Sequence, residues 1–323
     1  MLTNSLESVL NAIDQLSIST EESATYSKKQ VNTDLTQLAS TVFSRLSNIG
    51  SSRMNIRLIA DGKDLHPALF IQSRIGDGLI EHSLLDNDLV TQCLNEGGTL
   101  VFDHINDHVT ELRGIQEYIE ASYGVKCWIQ CYLTKANQTA FNMHSDDHPF
   151  LVLQLFGHKH WIHDNNDTVD YNTGDIAFYP RGKLHDVHGK GVTSMHLTIA
   201  FEDFDGQNYN ELSQKQQLQA LKPRIGNALP FSIDSQHSLS NCGFRGYYNF
   251  LPPFETEGEV IRLITPKRTI KLKHKDYLDI LRSLQCSPSS TVLELSERLD
   301  IDPTRVEAFI RFGLSNGLII RGL

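Results

Sequence analysis

The stretch HSDDHPFLVLQLFGHKHWIH, residues 144–163, decides the fold that we expect for this chain. It begins with a histidine and an aspartate two residues apart, His144 and Asp146. It then runs into seven residues, FLVLQLF, whose apolar character is typical of a buried strand. After Gly157 the segment HKHWIH is again strand-like, and we expect it to pair back onto the apolar run.

Other strand-like segments surround this stretch, and no helical pattern separates them. KCWIQCYL precedes it at residues 126–133, and DIAFYP and SMHLTIAFE follow it at residues 175–180 and 194–202. A cluster of short strands without intervening helices is typical of an antiparallel sandwich or barrel. The sequence therefore predicts a mainly β domain with additional helical segments.

The two ends of the chain have helical patterns instead. Apolar residues at helical spacing predict helices over residues 5–16 and 35–46, and the polar residues 17–34 between them predict a loop. From residue 259 the segment EVIRLITPKRTIKL is strand-like, and three short helical patterns follow it. Helices with flanking strands in this order are typical of a winged-helix module.

The charge of the chain argues against a nucleic-acid partner. The formal net charge is -10, so a polyanion could bind only through a local basic patch. From residue 266 onward ten lysines and arginines stand against seven acids, and ten minus seven leaves +3. The last helix offers Arg305 and Arg311 but also carries Glu307, which is a weaker basic face than DNA-binding helices present.

The cysteines and the N-terminus bear on the cellular compartment. Five cysteines without a dense framework indicate a reducing environment, and the spacing of Cys127 and Cys131 does not match a zinc CxxC motif. The first residues lack the basic start and apolar core of a signal peptide. No apolar run reaches the roughly 18 residues of a membrane span. We therefore expect a cytoplasmic protein without a membrane partner.

His144 and Asp146 raise the question of a metal site. Strand side chains alternate, so a His-x-Asp at a strand edge presents both side chains on one face. One further histidine would complete the facial triad of a non-haem iron centre, and the downstream candidates are His185, His188 and His196. The alternative without a metal is a turn that contains two polar residues.

A second group of residues indicates an anion-binding cavity beside that site. Lys159 lies among apolar and aromatic neighbours, where it either pairs with a bound carboxylate or extends to solvent at a sheet edge. Trp128, Gln130 and Tyr132 share one face of a strand. Gln130 and Tyr132 are therefore polar groups either for the same cavity or for a packed core.

The order of these motifs resembles the JmjC-type ribosomal oxygenases. The matching segments are YLT (132–134), HSD (144–146), LQLFGHKHW (153–161), GDIAFYPRGKLH (174–185) and SMHLT (194–198). The resemblance covers residues 56–204 well and extends loosely to the end of the chain. It implies a double-stranded β-helix, the cupin-like jelly roll, followed by a winged-helix domain.

The resemblance also implies which residues bind iron. The residues that match the family's iron ligands are His144, Asp146 and His185. His188 is the less favoured alternative to His185, because the family's ligand is the first histidine after the PRG motif. His196 matches a histidine that lines the pocket.

The binding site for 2-oxoglutarate is implied in the same way. Lys159 matches the residue that binds the distal carboxylate of this cosubstrate, and Tyr132 and Thr198 match positions near it. Gln130 stands where the family usually has asparagine, and it offers the same donors and acceptors on a longer side chain.

The activity implied by the resemblance is an Fe(II)- and 2-oxoglutarate-dependent oxygenase, which uses O2 to hydroxylate an amino-acid side chain in a protein or peptide. The segment between Trp161 and Gly174 is shorter than the family's insert, which leaves open a tailoring hydroxylase of a peptide natural product or free amino acid. A non-catalytic cupin-like regulator with a winged helix is the alternative from a different class.

These interpretations divide the chain into four regions. We expect an N-terminal helical region over residues 1–50 and a JmjC/cupin catalytic domain over residues 51–205. A linker, or a region through which two copies form a homodimer, would follow over residues 206–258, and the winged helix would occupy residues 259–323.

Overall fold

The computed structural model describes residues 2–21, 24–48, 55–75, 81–135, 141–164, 167–224, 239, 242–258, 260–287 and 289–321. The chain forms two units, one made of residues 1–112 and 127–202 and the other of residues 113–126 and 203–323. The first unit holds the β-rich core, and the second holds the C-terminal helices.

The first unit combines helices at its N-terminal end with a large set of strands. Its helices are α1 (Leu2–Asp14), α2 (Thr36–Asn48) and α3 (Asn87–Asn95). Its strands are β1 (Ser27–Gln30), β2 (Asn55–Ala60), β3 (Lys63–Asp64), β4 (Ile71–Ile75), β5 (Glu81–Leu85), β6 (Thr99–Asp103), β7 (Lys126–Thr134), β8 (Phe150–Phe156), β9 (His158–His163), β10 (Thr168–Asn172), β11 (Asp175–Tyr179), β12 (His185–Gly189) and β13 (Ser194–Glu202).

These strands form two main sheets. The larger sheet has the order β1-β11-β8-β13-β7-β6-β2-β3, and the smaller has the order β10-β9-β12. Strands β4 and β5 pair only with each other. Side chains from both main sheets share a buried aromatic core that contains Phe150, Trp161, Tyr171 and Tyr179. The predicted antiparallel sandwich is therefore present.

Strand β8 is buried on both faces, which explains its apolar sequence. Phe150 and Val152 belong to the aromatic core between the sheets. Leu151 and Leu153 point to the opposite side and are equally buried, and α2 contacts the strand. The two N-terminal helices confirm the predictions over residues 5–16 and 35–46, since both are amphipathic and bury an apolar stripe.

The prediction that HKHWIH pairs back onto FLVLQLF is wrong. Strand β9 pairs with β10 and β12, whereas β8 pairs with β11 and β13. The cause is Gly157, whose backbone is in the left-handed region at φ +67° and which ends β8. A Cβ at this position would lie 2.5 Å from the carbonyl oxygen of Thr193. The chain therefore turns out of the larger sheet instead of forming a hairpin within it.

The prediction of a loop throughout residues 17–34 is also wrong. Strand β1 lies within that segment and pairs with β11 at the edge of the larger sheet. Its sequence SKKQ has no apolar residue. Polar side chains are tolerated here because those of this edge strand are half-buried or exposed. Lys28 instead forms an ion pair of 2.9 Å with Asp175 on β11.

The second unit begins within helix α4 (Thr110–Tyr123). The elements that follow are α5 (Gln214–Ala220), β14 (Phe244–Gly246), β15 (Phe254–Glu257), β16 (Val260–Ile264), β17 (Thr269–Leu272), α6 (Asp276–Gln285), α7 (Val292–Leu299), α8 (Pro303–Asn316) and β18 (Ile319–Arg321). The three short C-terminal helices are thus where the sequence predicts them. The strand-like segment 259–272 contains two strands, β16 and β17, that pair as a hairpin.

A buried ion pair holds α4 within this unit. The guanidinium of Arg245 donates from Nη1 to both carboxylate oxygens of Glu117, at 2.8 and 2.9 Å. Both side chains are almost fully buried, and Arg224 adds a second cation 3.7 Å from the same carboxylate. Burial of charges is tolerated here because each ion has a partner.

None of the described helices is both long enough and apolar enough to span a lipid bilayer.

Candidate active site

A cavity of about 290 Å³ opens inside the first unit. Its walls come from both main sheets and from the segment that precedes β8, and they include all seven of the predicted site residues. Those residues are Gln130, Tyr132, His144, Asp146, Lys159, His185 and Thr198. These positions span 68 residues of sequence, from Gln130 to Thr198, and they are brought together because strands of both sheets border the same cavity.

His144 and His185 are held opposite each other by the backbone. The amide of each donates to the carbonyl of the other, at 3.0 and 2.8 Å, in an isolated antiparallel bridge. The two imidazole rings are consequently 4.4 Å apart between centroids. His144 does not belong to a continuous strand, so the predicted strand edge is reduced to this one bridge.

The hydrogen bonds of the two rings determine which nitrogen is free. Nδ1 of His144 lies 2.8 Å from the carbonyl oxygen of Asn142, and Nδ1 of His185 lies 3.0 Å from that of Lys183. A carbonyl oxygen can only accept, so both Nδ1 atoms carry the proton. Both Nε2 atoms are left with a lone pair, which is the arrangement that metal-binding histidines adopt.

Asp146 supplies an oxygen to the same point. Its Oδ2 lies 3.8 Å from Nε2 of His185, and its carbonyl accepts from the amide of Gly182 at 2.9 Å. One atom from each of His144, Asp146 and His185 lies within 4.8 Å of the other two, and no other such group of ligands occurs among the described residues. Two imidazoles and one carboxylate suit a divalent transition metal with open positions towards the cavity.

The two other histidines considered as ligands lie elsewhere. His188 on β12 contacts the carboxylate of Asp186 at 3.0 Å and does not line the cavity. His196 on β13 lines the cavity but contacts Lys159. The group of possible ligands therefore contains His185, and neither of its alternatives.

Lys159 is buried in the cavity wall, and no acidic side chain among the described residues forms an ion pair with it. Only 2% of the residue is exposed. Its Nζ lies 2.8 Å from Nδ1 of His196 and donates weakly to the carbonyl of Tyr132 at 3.4 Å. Burial lowers the pKa of Lys159 to about 7, and burial also places the pKa of His196 well below its ordinary value. A carboxylate bound here would favour the protonated form of Lys159 and form a charge-assisted hydrogen bond with it.

Gln130 and Tyr132 are joined in a chain of polar contacts along the cavity wall. The Tyr132 hydroxyl donates to Oε1 of Gln130 at 3.1 Å, and Nε2 of Gln130 donates to Asp103, which also binds Arg57. Burial raises the pKa of Tyr132, so its hydroxyl stays protonated. Both ends of the Gln130 amide are therefore already engaged. Thr198 lies on the neighbouring wall and is almost fully buried.

Sequence reasoning missed two polar groups in the cavity wall. Oγ1 of Thr134 and Nε1 of Trp161 are buried there without a hydrogen-bond partner. Thr134 could have been found, because it continues the alternation of Gln130 and Tyr132 along β7. The Nε1 group of Trp161 was overlooked because most of the indole ring is apolar and fits a packed core. Both groups can bind the polar atoms of a ligand.

Comparisons with known proteins agree with the motif resemblance. Residues 106–171 match the model of the JmjC domain family. A stretch of 186 residues is 22% identical to the bifunctional lysine-specific demethylase and histidyl-hydroxylase NO66 of Drosophila sechellia, covering 47% of this chain and 28% of that protein. A stretch of 124 residues is 29% identical to ribosomal oxygenase 2 of Mus musculus, covering 32% of this chain and 27% of that protein. The chain thus spans less than a third of each of these relatives.

Solved structures show the same fold. A crystal structure of the Escherichia coli ribosomal oxygenase YcfD matches with a TM-score of 0.50 and 13% identity, over 92% of this chain and 94% of that one. A structure of YcfD in complex with cobalt and 2-oxoglutarate matches with a TM-score of 0.51 and 12% identity over the same shares. The predicted mixture of β-sheets and helices in a JmjC- and cupin-like fold is confirmed, as is the resemblance to ribosomal oxygenases.

Proposed function

We propose that this protein is an Fe(II)- and 2-oxoglutarate-dependent oxygenase that hydroxylates an amino-acid side chain of a protein or peptide. The observation that carries the proposal is the pairing of two features in one cavity. One is the group His144, Asp146 and His185 with its two free Nε2 atoms. The other is Lys159, a buried amine that pairs with no carboxylate of the described residues.

The names of the relatives support the same chemistry. One relative is called a histidyl-hydroxylase, and YcfD binds cobalt and 2-oxoglutarate in its crystal. At 12% identity that likeness concerns the fold alone, so the geometry of the cavity carries the assignment of cofactors. Because the chain covers less than a third of the curated relatives, their protein substrates are proposals for this chain.

The residues of the cavity have distinct tasks in this proposal. Iron(II), when bound by His144, Asp146 and His185, supplies the activation of O2 that hydroxylation needs. Lys159 binds the far carboxylate of 2-oxoglutarate and stays protonated once that charge is beside it. Thr198 lines the same cavity as Lys159 and offers a further hydrogen-bonding group.

The remaining wall shapes the space for the substrate. Tyr132 keeps its proton and can donate to a carboxylate or to a substrate, while Gln130 holds its hydroxyl in place. On the same wall the ring of Trp128 lies 5.0 Å from that of His148. These aromatic rings exclude water from the reacting side chain and orient it towards the metal.

The second unit is proposed to end in a winged helix, over residues 259–323. Helices α6 to α8 pack around one apolar core with the hairpin of β16 and β17. The arginines of α8 are occupied, since Arg305 pairs with Asp276 and Arg311 pairs with Glu307. We therefore propose that this module contacts protein. Association of two copies through residues 206–258 stays a prediction from the motif resemblance.

Product analysis tests the function. Iron(II)-loaded protein is incubated with 2-oxoglutarate, O2 and either ribosomal proteins, peptides or free amino acids, and products are screened for one added oxygen atom by mass spectrometry. Succinate is measured in parallel. Asp146→Ala and His185→Ala should abolish both signals, whereas the matched controls Asp147→Ala and His188→Ala should retain them.

The proposal fails if Asp146→Ala forms succinate at the wild-type rate. It also fails if wild-type protein binds neither Co(II) nor Mn(II). Oxygen addition to free amino acids alone would move the substrate from proteins to small molecules.

A further inference from the structure

A row of aromatic rings leads away from the metal-binding group. The ring of His185 contacts those of Trp161 and Tyr179, with centroids 5.5 and 5.7 Å apart. Trp161 in turn lies 5.1 Å from Tyr179 and 5.3 Å from Tyr171. Each of these three aromatic side chains is at most 1% exposed. The rings therefore form a continuous buried path that starts at a candidate ligand.

The hydroxyls of the same row form a chain of hydrogen bonds. Nε2 of His163 lies 2.8 Å from the hydroxyl of Tyr179, which lies 3.0 Å from that of Tyr171. The hydroxyl of Tyr171 lies 2.9 Å from that of Tyr26, which is half-buried beside β1. The three hydroxyl protons suffice for all three contacts when each hydroxyl donates in the direction of His163.

The proposed hydroxylation has no use for these hydroxyls. Tyr26, Tyr171, Tyr179 and His163 do not line the cavity. Packing alone would be served by phenylalanine, as Phe150 stacks on Tyr179 at 4.9 Å in the same core. A buried hydroxyl group costs free energy unless it forms a hydrogen bond. Three consecutive buried hydroxyls are therefore unfavourable if these side chains serve packing alone.

We propose that Trp161, Tyr179, Tyr171 and Tyr26 carry oxidising equivalents from the metal site to the edge of the first unit when O2 is activated without a substrate in place. Among the aromatic side chains, tryptophan and tyrosine lose a single electron most readily. The inference rests on the proposed function, because only an oxidising metal centre gives the path a source. It would protect the ligands and the cavity wall from the oxidant.

The transfer balances at each link. Tyr179 loses an electron, which passes through Trp161 to the metal, and its hydroxyl proton moves to Nε2 of His163. Tyr171 then returns one electron and one proton to Tyr179 across their hydrogen bond, and Tyr26 does the same for Tyr171. An external thiol finally gives a hydrogen atom to Tyr26. The net result is one thiol oxidised to a thiyl radical, one electron gained at the metal and one proton left on His163.

The test delivers the oxidant directly. Iron(II)-loaded protein without peptide receives hydrogen peroxide. Tyrosyl radicals are recorded by electron paramagnetic resonance after rapid freezing, and oxidised side chains are mapped by mass spectrometry. Wild-type protein should give a tyrosyl signal and oxidation at Tyr26. Tyr171→Phe should lose oxidation at Tyr26 and show several-fold more oxidation at Trp161.

Two further variants keep the test independent of folding defects. Tyr26→Phe changes only the half-buried end of the row and should shift the oxidation to Tyr171. Tyr209→Phe is the control, because it also removes a buried hydroxyl, which donates to the carbonyl of Leu251 at 3.0 Å in the second unit. It should match wild type in radical signal and oxidation map.

A Tyr171→Phe protein that is still oxidised at Tyr26, or a Tyr26→Phe protein without added oxidation at Tyr171, would overturn the inference. Succinate formation by the wild-type protein would in that case leave the proposed function standing. A wild-type protein that binds no Fe(II), Co(II) or Mn(II) would remove the proposed function and the path together.

Discussion

Replacing Lys159 with methionine should stabilise the protein and weaken its binding of a dicarboxylate. Burial lowers the pKa of this lysine from 10.5 to about 7. At about 1.36 kcal/mol per pKa unit, keeping the lysine protonated costs the folded state about 5 kcal/mol. Methionine keeps most of the aliphatic volume but loses the contact of Nζ with His196. We expect a net gain of about 1–4 kcal/mol in the free energy of unfolding near neutral pH.

The pH dependence gives this prediction a second measurement. Between about pH 7 and pH 10.5 the unfolded chain binds a proton at Lys159 that the folded protein has released. Wild-type stability should therefore rise with pH through that window, and the contribution is lost as pH falls towards 7. Lys159→Met should lack this rise. Urea denaturation of the metal-free protein at several pH values measures both effects.

Ligand binding should change in the opposite sense. A charge-assisted hydrogen bond contributes about 1.5–3 kcal/mol, so Lys159→Met should bind 2-oxoglutarate roughly tenfold to a hundredfold more weakly. Calorimetry of the Mn(II)-loaded protein measures the affinity, and above pH 7 wild-type binding should take up a proton. Lys29→Met, an exposed lysine on β1, is the control for the loss of a positive charge. A less stable Lys159→Met with unchanged 2-oxoglutarate affinity would refute the reasoning.

Three further substitutions test other parts of the structure. Asp146→Asn should eliminate tight Co(II) binding in visible absorption titrations while the exposed neighbour variant Asp147→Asn retains it; equal affinities would contradict the ligand assignment. Gly157→Ala should lower the free energy of unfolding by more than about 1 kcal/mol, since its φ is +67° and the new methyl meets backbone; a neutral effect in denaturation would show that the turn can relax. Glu117→Ala should cost about 3–5 kcal/mol because Arg245 loses its buried partner; a cost below about 1 kcal/mol would mean that water reaches the guanidinium.

The seven predicted site residues could be recognised because short motifs hold them at fixed spacing. The alternation along β7 placed Gln130 and Tyr132 on one face, and the first histidine after the PRG motif is the one that lies beside His144 and Asp146. Thr134 follows from the same alternation and was overlooked. The engagement of Gln130 by Asp103 was not predictable, because it joins two strands whose register no local pattern specifies.

The two wrong predictions about the fold, the pairing of HKHWIH and the loop over residues 17–34, have a common cause. A strand-like pattern shows that a segment is extended, but it does not show which sheet the segment joins. The left-handed backbone at Gly157 decides which sheet β9 joins. The sequence does not show this, because any glycine can adopt a left-handed or a right-handed backbone conformation. Polar edge strands such as β1 leave almost no periodic signal at all. The pairing of Glu117 with Arg245 spans 128 residues, which is beyond the reach of sequence patterns.

The unequal anchoring of the three ligands predicts how a metal would leave. The backbones of His144 and His185 are joined by reciprocal amide–carbonyl bonds, and each ring would lose the hydrogen bond of its Nδ1 to a backbone carbonyl if it swung out. Asp146 lies on the connecting segment between that bridge and β8, where its carbonyl accepts from the amide of Gly182. Release would begin with the carboxylate, and the residence time of the ion would then report the stiffness of that short segment more than the strength of the sheets behind it.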